Sequence, residues 1–328
     1  MIARFAVPFT LLLGFVIVPL LSYVLCRWLL PKRVGRRLGI ACACVVLGLF
    51  GYGLTFGFEQ LEVHQLEYAS ADLPEAFDGY RIVQFSDAHL GSFKDRRQRL
   101  IQRAVDSIMA QKADMIVFTG DLQNVEPSEI LPFKNILSQL HAPDGMYSIL
   151  GNHDYDVYQN CDEATKRANC LLTQKYERQL GWTLLMNEHR TIHRGADSIV
   201  LAGMENRGNV TRMPRLGNVA MTMQGIDTTS FVVMLQHDPS AWREKILPES
   251  HAQLTLSGHT HGMQFGILGW SPLSLFREDW GGTLYEGERA LFVSTGFGGL
   301  IPFRLGMPGE IVVITLKRET KTSLNRKQ

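Results

Sequence analysis

Hydrophobic positions along the chain follow two different patterns. From Phe5 to Cys26 the sequence runs 22 residues without a charge, and from Leu38 to Phe58 another 21. A helix needs about 20 apolar residues to cross the hydrocarbon core of a bilayer, so both runs suffice. Pro8 and Pro19 in the first run, and Gly39, Gly48, Gly51, Gly53 and Gly57 in the second, would weaken a soluble helix. Lipid tolerates them, and Gly53-x-x-x-Gly57 offers a flat surface for close helix contact. A cleavable signal peptide has a shorter apolar core and leaves the second run unexplained. A soluble core helix would not stay apolar on every face. The pattern predicts a two-helix transmembrane hairpin over residues 1–58.

Beyond residue 58 the apolar runs become short. Strands are predicted at Arg81–Phe85, Met115–Thr119, Met146–Leu150, Ser198–Ala202, Phe231–Gln236, Gln253–Leu256, Ala290–Ser294 and Ile311–Leu316. Helical periodicity is predicted near Arg96–Ala110, Glu129–Leu140 and Leu171–Leu180. This succession predicts one α/β domain over 80–317, reached through a connector at 59–79 and followed by a polar tail at 318–328. No internal repeat is seen.

Charge adds an orientation. The whole chain has 33 basic and 32 acidic residues, but the first 58 hold six basic side chains and no acid. The remainder therefore carries 27 basic against 32 acidic residues, too acidic a body for general nucleic-acid binding. Arg27, Lys32, Arg33, Arg36 and Arg37 occupy the loop between the spans, about 27–37, whereas Glu59 to Tyr80 contains no Lys or Arg. Positively charged loops stay in the cytoplasm, which predicts a multi-pass protein of the cell (inner) membrane with its α/β domain on the extracytoplasmic side. Arg4 alone flanks the amino terminus, which is expected outside as well.

The chemistry lies just after the strand-like runs. Ser86-Asp87-Ala88-His89 follows the first, Gly120-Asp121 the second and Gly151-Asn152-His153-Asp154 the third. His237-Asp238 and Ser257-Gly258-His259-Thr260-His261 follow two later ones. Carboxylates, an amide and imidazoles thus gather at the carboxyl ends of five strands, where open α/β sheets bind their ligands. On an extended segment residues two apart share a face, so Asp87 is expected to act with His89 and His259 with His261. Five of the ten histidines fall in these motifs. The set contains no thiolate, which argues against structural zinc, and mixed nitrogen and oxygen donors suit Mn, Fe or Zn. Neither a glycine-rich phosphate loop nor a Gly-x-Ser-x-Gly elbow occurs.

The ordered set Asp-x-His, Gly-Asp, Gly-Asn-His-Asp, His and Gly-His-x-His resembles that of the calcineurin-like metallophosphoesterases over most of residues 80–316. Gly258–Gly262 and Ser294–Ile311 look most like the membrane-associated bacterial branch. The resemblance implies a four-layer αββα sandwich and a centre of two divalent transition-metal ions. It implies that Asp87, His89 and His261 bind one ion, that Asn152, His237 and His259 bind the other, and that Asp121 bridges them. His153 would be the catalytic histidine, and Asp154 would hold or polarise it. Met263 departs from the pattern, since many members carry a second glycine there.

Reaction and substrate stay open among several readings. A metal-activated water would cleave a phosphoester, and the first expectation is a phosphodiesterase. Alternatives are a pyrophosphatase of nucleotide-linked lipid precursors and a non-catalytic metal-binding scaffold. Phe265 to Trp280 and Phe297 to Leu305 are rich in large apolar residues, Gly and Pro, and are expected as loops. Either they cover the core, or Phe276 and Phe303 face an apolar groove or the bilayer. Arg277 and Arg304, within these stretches, are candidates to bind substrate phosphate. The expected partners are therefore the lipid bilayer and a phosphoester that is amphiphilic or lipid-linked. Cys161 and Cys170 could pair or remain thiols.

Overall fold

A computed structural model describes residues 9–93, 97–209, 213–267 and 269–319. Arg4, Arg96, Leu268 and the polar tail from 320 lie outside the described residues. Two long helices come first, α1 at Phe9–Leu29 and α2 at Lys32–Gly57, joined by a two-residue turn. The basic residues predicted in a loop thus sit on the facing helix ends. The helices pack through small residues: a side chain at Gly14 would strike Phe50, one at Gly35 the Cys26 carbonyl and one at Gly39 Tyr23. Phe15 meets Phe50 edge-on at 5.0 Å. Their outer faces remain uncovered, with Trp28 81% and Val45 60% exposed, so apolar surface surrounds the pair.

The α/β body is built on two six-stranded sheets. Strands β1 (Leu61–Ser70), β2 (Arg81–Phe85), β3 (Met115–Phe118), β4 (Met146–Ser148), β5 (Thr183–Leu184) and β12 (Gly309–Arg318) form one. Its order is β1-β12-β2-β3-β4-β5, with β2, β3, β4 and β5 parallel. The second contains β6 (Glu188–Arg194), β7 (Asp197–Gly203), β8 (Val232–Leu235), β9 (Leu254–Ser257), β10 (Gly282–Glu286) and β11 (Arg289–Val293), in the order β10-β11-β9-β8-β7-β6.

Alternation along the strands separates two cores. Ile82, Met115, Val117, Val312 and Ile314 point between the sheets, where they meet Leu201, Val233 and Leu256. Their sequence neighbours Val83, Ile116, Phe118, Ile311 and Val313 point outward beneath helix α3 (Gln98–Ala110). That helix buries Leu100, Ile101, Ala104, Val105 and Ile108, one stripe at helical spacing. A third cluster covers the far face of the second sheet with Trp242, Ile246 and Val219 from short helical turns. The result is the expected two-sheet sandwich with helices outside.

Several expectations change. The stretch 59–79, read as a connector, contains β1, which pairs in parallel with all of β12. Helix α4 spans Glu163–Gln179, starting eight residues before the helical stretch predicted near Leu171–Leu180, because Asp162 accepts the Thr165 N–H at 2.9 Å and caps it. Glu129–Leu140 is a 3₁₀ segment, Pro127–Phe133, followed by one α turn. Cys161 and Cys170 are free thiols. Gly53 and Gly57 do not serve helix–helix contact: a side chain at Gly53 would strike Phe303, and one at Gly57 the Arg304 carbonyl.

Candidate metal centre

Strands β2, β3 and β4 lie side by side in parallel, as do β8 and β9, and their carboxyl ends converge between the sheets. Asp87 and His89 leave β2, Asp121 leaves β3, Asn152 and His153 leave β4, His237 leaves β8, and His259 and His261 leave β9. The reason these side chains meet differs from the expected one. Asp87, His89, Asp121, His259 and His261 have φ of 54°, 44°, 63°, 77° and 55°, all left-handed. The motifs are therefore tight turns rather than strand continuations, and backbone strain of this kind collects where function over-determines the geometry. Met263, the position that departs from the resembled pattern, also has φ 65°. The turns require glycine at their contacts: a side chain at Gly258 would strike the Asp87 carboxylate, and one at Gly151 the Asp121 carboxylate.

All seven expected ligands are brought together. His89 Nε2 and His261 Nε2 are 3.0 Å apart, and His261 Nε2 lies 3.4 Å from Asp87 Oδ1. Asn152 Oδ1 lies 3.1 Å from His237 Nε2 and 2.8 Å from His259 Nδ1. Asp121 Oδ2 stands between the two groups, 3.6 Å from His89 Nε2 and 3.2 Å from His237 Nε2. The donor atoms of Asp87, His89 and His261 form one set within ligand reach, and those of Asp121, His237 and His259 another. His89, Asp121 and His153 form a third.

Lone pairs facing lone pairs are the test of whether these residues fit cations. His237 donates through Nδ1 to the Thr119 carbonyl at 2.7 Å, so its Nε2 lone pair turns inward. Asn152 donates through Nδ2 to the Tyr158 hydroxyl at 2.9 Å, so its Oδ1 turns inward too. Two acceptors directed at each other inside a buried pocket repel unless positive charge lies between them. The carboxylates make the same demand for positive charge, which a proton on His237 Nε2 also meets. Burial opposes charge on His237, yet the carboxylates of Asp121 and Asp87 outweigh it and push its pKa up to about 10. Burial, reinforced by His153, drives His89 down to about 3. Burial above all raises Asp87 to about 6. The donor set fits two divalent cations.

The residues expected to do chemistry divide. His153 stands at the centre, its ring edge-on to His89 at 4.7 Å and stacked on Tyr158 at 4.2 Å. Its Nδ1 donates to the Asn124 carbonyl at 2.6 Å. Asp154 takes a different part from the one expected. Its carboxylate accepts backbone N–H bonds from Asp121, Leu122, Gln123 and Gly151, at 2.8, 3.0, 3.2 and 2.9 Å. It ties the β3 and β4 turns together and so positions Asp121, while Asn124 orients His153. Burial, then repulsion from Asp121, raises its pKa to about 7.

Arg304 is not a substrate ligand. It is fully buried and donates to the carbonyls of Thr295, Gly296, Gly298, Met307 and Pro308 at 2.6–3.1 Å. Burial lowers its pKa to about 10, and it braces the loop whose Gly296 abuts Asp87. Removing it leaves five inward carbonyls without their donor. Arg304→Met is therefore expected to cost on the order of 3 kcal/mol or more in denaturant unfolding of the purified chain. Arg277 stays a candidate; it lies in the loop after His261, with Asp279 gripping its Nε and Nη2 at 2.6 and 2.7 Å. Phe303 is buried, stacked on Phe50 at 4.8 Å, whereas Phe276 is 80% exposed. The two apolar stretches thus have opposite fates.

Some residues of the centre received no role from the sequence, although Asn124 and Asp238 lie in or beside its strand-end motifs. Tyr158 lies in a polar loop, Asn124 acts through its backbone, and Asp238, 3.6 Å from His259 Nε2, follows a motif histidine without distinction.

Residues 80–263 match the family described as calcineurin-like phosphoesterase. An uncharacterised metallophosphoesterase of Aquifex aeolicus is 29% identical over 281 residues, covering 83% of this chain and 97% of the relative. A Danio rerio protein described as a transmembrane protein with metallophosphoesterase domain is 29% identical over 276 residues, 81% of this chain and 60% of that one. A shorter match, 43% identical over 111 residues, is to the UDP-2,3-diacylglucosamine pyrophosphatase LpxG of Chlamydia muridarum, covering 31% of this chain and 32% of the relative. With its ligand turns and family match in agreement, the chain belongs to the calcineurin-like metallophosphoesterases, metal-dependent hydrolases of phosphoric esters.

Proposed function

We propose that the protein is a membrane-anchored phosphohydrolase acting on an amphiphilic phosphodiester, such as a phospholipid or lipid-linked phosphate. Asp87, His89 and His261 would hold one divalent transition-metal ion and Asn152, His237 and His259 a second, with Asp121 serving both. The double placement of Asp121, with one oxygen facing a histidine of each set, carries this reading. Two cations so held supply an activated water and neutralise charge on the phosphoryl oxygens.

The chain's own residues do the remainder. Tyr158 keeps the Asn152 oxygen turned inward, and the Thr119 carbonyl holds the His237 tautomer. With Nδ1 of His153 donating to Asn124, Nε2 is the nitrogen that gives a proton to the leaving oxygen. Arg277, steadied by Asp279, offers a charge-assisted hydrogen bond to a non-bridging phosphate oxygen.

Helices α1 and α2 span the bilayer. The basic residues between 27 and 37 hold their turn in the cytoplasm, which puts the catalytic body on the extracytoplasmic side. A cysteine introduced at the exposed Leu171 is expected to react with an impermeant reagent in intact cells; reaction only after lysis would reverse the topology.

A second reading, hydrolysis of a nucleotide-linked lipid pyrophosphate, draws support from the partial likeness to LpxG. Such precursors are usually made in the cytoplasm, so the orientation speaks against it. The purified full-length chain, loaded with manganese, is expected to cleave a bis-aryl phosphodiester and a phospholipid faster than a diacylated UDP-sugar. The opposite order selects the pyrophosphatase.

A further inference from the structure

The end of α2 is seated on the catalytic body. Gly53 and Gly57 lie under Phe303 and the Arg304 carbonyl, and the Arg304 N–H donates to the Gly53 carbonyl at 3.0 Å. From there contacts run without a break into the loop that follows His261. Gln264 Nε2 donates to the carbonyls of Ile301 and Phe303 at 2.9 and 2.6 Å. The Gly266 N–H donates to Leu305 at 2.8 Å, and Ser271 Oγ to Gly262 at 2.7 Å.

Held by these buried anchors, the loop turns its apolar side chains outward. Met263 is 56% exposed, Ile267 61%, Trp270 46%, Leu275 71% and Phe276 80%. Single exposed apolar residues are ordinary, but five within fourteen positions are not. The uncovered Tyr52 and Phe56 of α2 belong to the same last turns of the span on which the loop is seated.

We infer that Met263, Ile267, Trp270, Leu275 and Phe276 dip into the interfacial layer of the bilayer that α1 and α2 cross. The inference rests on the anchoring proposed above. Continuity with the span end selects the occupant, because a surface fastened to the last turns of a transmembrane helix lies at headgroup depth. Trp and Phe are the residues that settle there. The loop follows His261 directly, so its insertion brings that side of the metal centre toward the headgroup layer, where a lipid's phosphate lies.

The test uses the full chain with its five cysteines replaced by serine, reconstituted into phosphatidylcholine vesicles carrying brominated acyl chains. An environment-sensitive fluorophore is placed on Phe276→Cys, on Val45→Cys in the span, or on Leu171→Cys on α4. Quenching and a blue-shifted spectrum are expected at 276 and 45, with a water-like, unquenched probe at 171. Quenching at 45 with a water-like probe at 276 overturns the insertion and leaves the anchoring intact. No quenching at either overturns both. A blue shift at 276 without quenching means that protein, a second copy included, covers the face, and it overturns the bilayer assignment.

Discussion

Asp121→Ala is expected to lose at least one metal ion and to lower kcat/KM for phosphoester hydrolysis by about 10³-fold or more. The size follows from position. Asp121 is the side chain with an oxygen toward a histidine of both ligand sets, and its other oxygen accepts the His153 N–H at 2.8 Å. Its removal takes a negative charge from a buried pocket holding five imidazoles, so the cations lose their shared counter-charge and the β4 turn loses a tie. Metal analysis of the purified variant, beside its activity, checks this. A variant holding two ions per chain with near-native turnover would refute the bridging assignment.

The second large effect is expected for His153→Ala, which should keep both ions and lose about 10²–10⁴-fold in kcat. The distinction matters because His153 lies within ligand reach of His89 and Asp121. Its Nδ1 is committed to the Asn124 carbonyl and its ring is stacked on Tyr158, which fixes the ring while Nε2 handles the proton. An acid that serves the leaving group should matter less as that group's own pKa falls. The loss should therefore shrink for a nitrophenyl ester compared with an alkyl ester. Loss of a metal ion in this variant, or equal losses for both esters, would make His153 a ligand instead.

Much of the centre was legible in sequence because its residues sit one to four positions beyond apolar runs that can only be buried strands. Asp87, Asp121, Asn152, His237 and His259 are each found by locating a strand end, and their chemistry then names a cation. The central strands were equally legible, since burial on both faces demands unbroken runs such as Met115–Phe118 and Val232–Leu235. Every strand that went unread, β1, β5, β6 and β10, lies at a sheet edge. An edge strand has one neighbour and little cover; β1 buries only two of its ten residues, so its polar sequence resembles a linker.

By itself, then, the sequence determined the two long apolar runs, the central strands, and which side chains at their ends offer donor atoms. Each is a property of side-chain type at short range. Tertiary structure alone decided how those features are used. It turned Asp87, His89, His259 and His261 into left-handed bends, because the donors must converge on points that lie off any strand axis. It gave Gly53 and Gly57 to the Phe303–Arg304 loop rather than to the partner helix. It buried Arg304 among five carbonyls while leaving Phe276 in the open. An arginine's charge and a phenylalanine's ring are written in the chain. Which carbonyls a loop turns inward, and which surface stays uncovered, depends on segments brought together only when the sheets and the hairpin pack.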